Sequence, residues 1–194
     1  MRGDIGLFRV FTGAALAAAL ALPLAGHGSE AAKAATERDG RHDFDWEIGT
    51  WKTELRRLVR PLSGSNEWAE YTGTTVVRKV LDGAANLVEL RVQGPAGRIE
   101  GASLRLYNPQ ARQWGLHYAS MRSGAFTRPV FGAFDHGRGE FYGTEVMDDG
   151  REVMVRFVIT ATSADSAQFE QAYSADGGKH WEVNWLATDT RVRP

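Results

Sequence analysis

From Trp51 onward the chain is a series of short segments rich in Val, Thr, Tyr, Phe and Trp, separated by turns of Gly, Asp, Asn and Pro. No other feature constrains the fold as much. The segments recur at roughly 10- to 15-residue spacing, and the turns are too short to hold crossover helices, so consecutive strands must be antiparallel neighbours. The pattern predicts a first strand from Trp51 to Leu55. Its continuation through Leu58 and Leu62 also fits a helix until Pro61 and Ser63-Gly64-Ser65 end it, and the strand reading is taken because the rest of the chain is β throughout. Further strands are expected at Glu67 to Leu81, with Gly73 a bend or bulge, then at Leu87 to Val92, Arg98 to Tyr107 and Gln113 to Met121. Ala125 to Phe134 carries Pro129 and reads as an edge, bulged or irregular strand. Glu140 to Met147, Arg151 to Thr160, Gln168 to Tyr173 and Trp181 to Thr188 complete the series. A meander of about ten strands leaves two raw edges, and closure into a barrel removes both. The fold class expected is all-β, an antiparallel meander closing into a barrel of about ten strands; a two-sheet sandwich is the alternative. No sequence period repeats, which argues against a solenoid or propeller.

Ahead of the strands, Arg2 and Arg9 precede an Ala/Leu-rich run from Ala14 to Leu24, followed by small residues. These are the parts of a secretory signal peptide, and the run is too short to span a bilayer. Residues 1–28 are expected to be that signal peptide, cut after Ala25 or Gly28, with 29–42 a flexible mature N-terminus and 43–194 the barrel domain. Export to the periplasm or beyond is the consequence. The chain has no cysteine, which excludes disulfides, thiolate metal sites, a Cys nucleophile and a lipidated N-terminal Cys. The remainder is long enough to bury a core without such staples. A net charge of −1 gives no electrostatic reason to bind nucleic acid or anionic membrane, and no later segment is long and apolar enough for a membrane span.

Gly49-Thr50-Trp51 opens the first strand behind a short aromatic plug carrying Phe44 and Trp46, and Arg191 comes after the last strand in Thr188-Asp189-Thr190-Arg191. The first motif resembles the Gly-x-Trp signature of lipocalins and the wider calycin superfamily. The second resembles the arginine that packs across that tryptophan at the closed end of those barrels. Phe44 to Trp51, Leu104 to Trp114 and Ser174 to Arg191 also resemble a bacterial family of exported proteins of unknown function with a calycin-like domain. The resemblance implies a lipocalin-like barrel, nearer by strand number to nitrobindin-like or fatty-acid-binding-protein-like members. For Gly49, Trp51 and Arg191 it implies structural barrel closure through a cation–π contact. Nitrobindins hold haem iron through a histidine that does not map here, so no cofactor is expected, with haem the minor alternative. Ser174-Ala175-Asp176-Gly177-Gly178-Lys179-His180-Trp181 is similar to the Asp-box of sialidase-type propellers; in a single copy it reads as a well-made hairpin.

Strand parity is the handle on the lumen. Trp181, Val183 and Trp185 share one face, opposite Glu182 and Asn184; Phe169, Gln171 and Tyr173 share another, as do Phe141, Gly143 and Glu145, and Trp114, Leu116, Tyr118, Ser120 and Arg122. Turning the aromatic faces inward makes Tyr118, Ser120, Arg122, Glu145, Gln171, Tyr173 and Trp185 the candidate ligand-binding residues. A buried carboxylate needs a partner, and Arg122 is the one expected for Glu145. Arg56, Arg57 and Arg60 read as a solvated face. The five histidines show no metal-binding spacing, so no metal site is expected.

Eight strands are just wide enough to be filled by side chains, and ten enclose a larger section. The expected function is a secreted or periplasmic binding protein for a small, largely apolar ligand held in the barrel interior. The alternatives are a barrel enzyme of isomerase, cyclase or hydratase type using Glu145 or Tyr118, haem or metal binding through His117 or His180, and a scaffold using an outward patch such as Met154 and Val158.

Overall fold

A computed structural model describes residues 39–193. The expected signal peptide and residues 29–38 lie outside them. The strands are β1 (Gly49–Leu58), β2 (Trp68–Val80), β3 (Ala85–Gly94), β4 (Gly97–Asn108), β5 (Gln113–Ser120), β6 (Ala125–Phe126), β7 (Val130–Asp135), β8 (Arg138–Val146), β9 (Glu152–Ser163), β10 (Ser166–Ser174) and β11 (Glu182–Arg191). All pairings are antiparallel, β11 pairs with β1, and β4 pairs with β5. The two-residue β6 is only a flap on β5. The other strands form a ring with no free edge. The protein is a closed, ten-stranded, lipocalin-like barrel.

In β1, Trp51, Thr53 and Leu55 are buried while Lys52, Glu54 and Arg56 are exposed. That period of two settles the strand reading over the helix. Gly73, opposite Val92 in the β2–β3 register, has no room for a Cβ, which would run into the Arg91 carbonyl and the Val92 Cα. Only glycine lets the two backbones approach this closely. The stretch from Ala125 to Phe134 is not one strand. Pro129, which has no N–H to give a ladder, separates β6 from β7, and β7 is no edge, because it pairs with both β5 and β8.

The parity read for the last strand needs correction. Gln171 faces Trp185, but the next pair is Ala172 with Val183, so Asn184 is an extra residue, a β-bulge. The bulge turns the face over. Trp185 stays inside with Gln171, whereas Trp181 lies on the outer wall, where Arg156 stacks on its ring at 5.0 Å. Asn184 is instead buried, 1% exposed.

The plug begins earlier than Asp43. Gly40–His42 and Asp45–Glu47 form two 3-10 turns, so residues 40–42 are not part of a free tail. Gly40 is tied down by its N–H to the Tyr107 hydroxyl and by the Trp114 indole N–H to its carbonyl, both 3.0 Å. Phe44, 1% exposed, meets Trp114 and Phe134 edge-on at 5.0 and 4.8 Å. This corks one end of the barrel, and the wall from β5 to β10 continues the same apolar cluster through Phe141, Val155 and Ile159. On the other side Leu55, Tyr71, Val92 and Ala187 form a second cluster.

Candidate functional site

The plugged end is locked by an arginine. The Arg191 guanidinium lies 4.1 Å from the centre of the Trp51 ring. It donates to the carbonyls of Trp46 (2.5 Å), Ile48 (3.0 Å) and Ala164 (3.1 Å). The Trp51 indole N–H donates to the Glu47 carbonyl at 2.7 Å. Gly49 has φ +136°, and a Cβ on it would sit 2.9 Å from Arg191 Nη1, so both conformation and space require glycine there. These three residues close the end mechanically, and none of them is among the lining residues of the inner cavity.

One layer above, the interior is not full. A cavity of about 170 Å3 lies between the β1–β5 wall and the β9–β11 wall. Its sides are mainly apolar: Leu55, Val88, Leu90, Leu116, Phe157, Ile159, Phe169, Trp185 and Ala187. A larger concavity, about 550 Å3, lies on the outer face over β1, β2 and β9 to β11. It is lined by charged groups of both signs, including Glu54, Arg56, Glu70, Arg138 and Glu170, and lacks the convergent apolar walls of a ligand site.

The inner cavity has a polar floor made of Glu47, Thr53, Thr75, Arg105 and Asp189. Arg105, 6% exposed, pairs through both terminal nitrogens with Glu47 and stacks on Phe44 at 4.1 Å. Asp189 has no such partner. Its carboxylate accepts from the Thr53 hydroxyl at 2.5 Å, and Thr53 is bonded to Thr75 at 2.7 Å. Desolvation, reinforced by the charge of Glu47 and opposed by Thr53 and Arg105, pushes the Asp189 carboxyl up to about 6.

The candidate residues read from the sequence fall into three groups. Tyr118, Gln171 and Trp185 line the cavity. Burial raises the Tyr118 phenol above its ordinary range, against the pull of Arg57. Tyr173 and Glu145 lie on the same inner wall toward the open end and bond to each other, the phenol donating to the carboxylate at 2.8 Å. Burial and the Glu145 charge raise the Tyr173 phenol strongly. Gln171 donates to the buried Asn184 carbonyl oxygen at 2.9 Å. The third group, Ser120 and Arg122, stays apart from the cavity. The expected Glu145–Arg122 pair is not made, because β5 ends at Ser120 and the chain turns, Gly124 N–H to Ser120 carbonyl at 2.9 Å. Strand parity does not carry past a strand's end, so Arg122 is exposed, and its backbone N–H donates to Ser120 Oγ at 3.3 Å.

Sequence reasoning missed Glu47, Thr53, Thr75, Arg105, Asp189 and Arg57. Arg57 points to the inner side of the mouth, in register with Trp185 and 5.7 Å above its ring. The turn after β1 crosses this mouth. Leu62, at φ +57°, packs on the main apolar cluster, and its N–H donates to the Glu182 carboxylate at 2.5 Å.

The remaining motifs have local roles. In the Asp-box hairpin, Asp176 accepts the backbone N–H groups of Lys179 and His180 and the Ser174 hydroxyl. The His180 donors, backbone first, hold its carboxyl well below the usual range. His180 is thereby tied to Asp176, and His117 is on the wall with Phe131. Among the described residues no group of three or more His, Cys, Asp or Glu could hold a metal ion. The outward patch of Met154 and Val158 is not exposed, Val158 being 5% accessible. No helix among the described residues is long and apolar enough to cross a membrane.

These features define a lipocalin-like barrel with one end corked and a small inner cavity above the cork. No family model matches the sequence, and no curated protein matches it. Among solved structures, the chain is similar to the S-type phycobiliprotein lyase CPES from Guillardia theta, at TM-score 0.56 and 12% identity, over 81% of this chain and 95% of that one. A redesigned β-barrel, mFAP0, bound to DFHBI, overlays at TM-score 0.41 and 12% identity, over 75% of this chain and 99% of that one.

Proposed function

We propose that this protein is an exported binding protein for a small, largely apolar molecule held inside the barrel, one of a bacterial family of exported calycin-like proteins. The observation that carries the reading is the cavity itself: about 170 Å3, mainly apolar walls and a few convergent polar groups. Size limits the guest. An engineered apolar cavity of about 150 Å3 holds benzene, so this one takes a single ring or a body of similar bulk, and a long chain would have to protrude through the mouth. Tyr118 and Gln171 orient the guest from the side wall, and Trp185 packs on it. The binding needs no haem or metal.

A fluorescent apolar probe should bind the purified protein at one site and be displaced by single-ring compounds. Ala187→Leu, which fills the cavity from one wall, should weaken that binding by about tenfold or more, since the added methyls take the guest's place. Unchanged probe affinity in Ala187→Leu, with the fold intact by circular dichroism, would place the probe elsewhere and sink the reading. Export is tested separately: N-terminal sequencing of the protein recovered from outside the cytoplasm should begin after Ala25 or Gly28, and an uncut Met1 would overturn it.

A further inference from the structure

We infer that the cavity selects a cationic guest, a single-ring amine, and takes it by an ion pair of the ammonium group with Asp189. The inference rests on the reading of the cavity as a binding site and names its ligand class. Charge at the floor does not balance. From the plug, Glu47 reaches the floor, and from β4, Arg105 does; they are paired with each other. β1 and β2 offer Asp189 only the hydroxyls of Thr53 and Thr75, and its neighbour across β10 is Ala167. Two carboxylates thus share one guanidinium, and Asp189 forms no ion pair among the described residues. A buried carboxylate without a cation is costly. A guest ammonium supplies the missing charge.

The side walls suit the same guest. Above Asp189 they carry Phe157 and Phe169, rings that attract a cation and accept an apolar ring equally well, while the Trp185 ring nearer the mouth already lies under Arg57. A carboxylate guest meets the opposite situation: Arg105 is already committed to Glu47, and the remaining charge at the floor repels it. The small volume then favours a ring with a short ammonium arm over polyamines and long-chain amines, whose chains would have to protrude through the mouth.

The test uses three probes with one ring and different charge: benzylamine, benzyl alcohol and benzoate, titrated calorimetrically into the purified protein at about pH 7.5, where the amine is charged and a carboxyl raised to about 6 is ionised. Benzylamine should bind at least about tenfold tighter than the alcohol, as expected for a charge-assisted bond in place of a neutral one, and benzoate should bind least. Asp189→Asn should reduce the amine-to-alcohol ratio to within about threefold. A second measurement avoids the variant altogether. Lowering the pH to about 5 protonates Asp189 while the amine stays charged as an ammonium, so the wild-type ratio should fall with acidification, and Asp189→Asn should show no such fall. Alcohol binding with no preference for the amine, or a preference that survives both Asp189→Asn and acid, overturns this inference and leaves the cavity reading standing. Failure of all three probes, together with no displacement of an apolar dye, overturns both.

Discussion

Arg191 and Asp189 are two residues apart on the same inner face of β11, and they are treated in opposite ways. Arg191 is saturated: three carbonyls accept from it and an indole ring lies under it. Asp189 is answered only by the Thr53–Thr75 hydroxyl pair, although it lines the cavity. The corked end is therefore a region where the strong groups have their partners inside the protein. The layer above keeps one strong group short of a partner, at a cost in stability. Such a cost persists in functional sites because a guest offsets it. On the proposed binding reading, the contrast separates residues that hold the barrel together from residues that receive its guest.

The largest effect should come from breaking the corked end. Arg105→Met keeps the bulk over Phe44 but strands Glu47 as a buried, unpaired carboxylate. Losing one partner of such a pair costs about 3–5 kcal/mol, readable as a large drop in the urea midpoint with little change of slope. Replacing both, as Glu47→Gln with Arg105→Met, should recover most of that loss. A single variant as stable as the wild type would mean that the pair is solvated and the two layers are not distinct. Gly49→Ala comes next. At φ +136° with Arg191 Nη1 2.9 Å away, an added methyl strains the backbone and tilts the guanidinium off Trp51, at about 1–3 kcal/mol. A matching loss in Arg191→Ala that is not additive with it would show that the glycine acts through the arginine.

Asp189→Asn should move stability the other way. The folded-state carboxyl sits at about 6 against an ordinary 3.8, so the folded protein holds that proton more tightly than the unfolded chain does. The group is therefore harmless below about pH 4, its penalty grows as pH rises to about 6, and it is complete above that. Allowing for the water that reaches the cavity, the penalty is about 1–2 kcal/mol. The variant should match the wild type near pH 4 and exceed it by that amount near pH 7, in parallel thermal melts. A variant destabilised at neutral pH would show that Asp189 is a structural partner of Thr53 and not a group held in reserve.

Much of this was legible in the sequence, and the reason it stopped where it did is physical. Turn residues and strand spacing dictate antiparallel succession, and an edge-free arrangement is the consequence, so the closed barrel was readable. Gly49, Trp51 and Arg191 share an end because they open and close the series. The same parity reaches Thr53 from Trp51 and Asp189 from Arg191, two residues along each strand, so two of the five floor residues lay one step from residues already placed. Glu47 and Arg105 could not be joined that way. They come from a 3-10 turn and a strand 58 residues apart, and only the packing of the plug on β4 brings them together. The inward turn of Asn184 depends on a bulge whose position is set by pairing with β10, and no local pattern in Trp181 to Trp185 announces it. Arg122 fails for the complementary reason: alternation was extended into a turn, where it no longer applies.

The smallest effect tests the open side of the comparison. Tyr173→Phe deletes the hydroxyl that donates to Glu145 at 2.8 Å and leaves the ring, 5% exposed, in the apolar cluster. Glu145 is itself only partly buried, so the freed oxygen regains water, and the cost should be near that of one ordinary hydrogen bond, about 0.5–1.5 kcal/mol. The urea midpoint should shift slightly at constant slope. The same variant leaves Tyr118, Trp185 and Asp189 in place, so affinity for a single-ring guest should change by less than about threefold. That corresponds to less than about 0.7 kcal/mol, because Tyr173 is not among the residues that line the cavity. A stability loss as large as that of Arg105→Met would show that the upper wall is as tightly committed to the fold as the cork. The division between a layer that closes the barrel and a layer that receives a guest would then have to be given up.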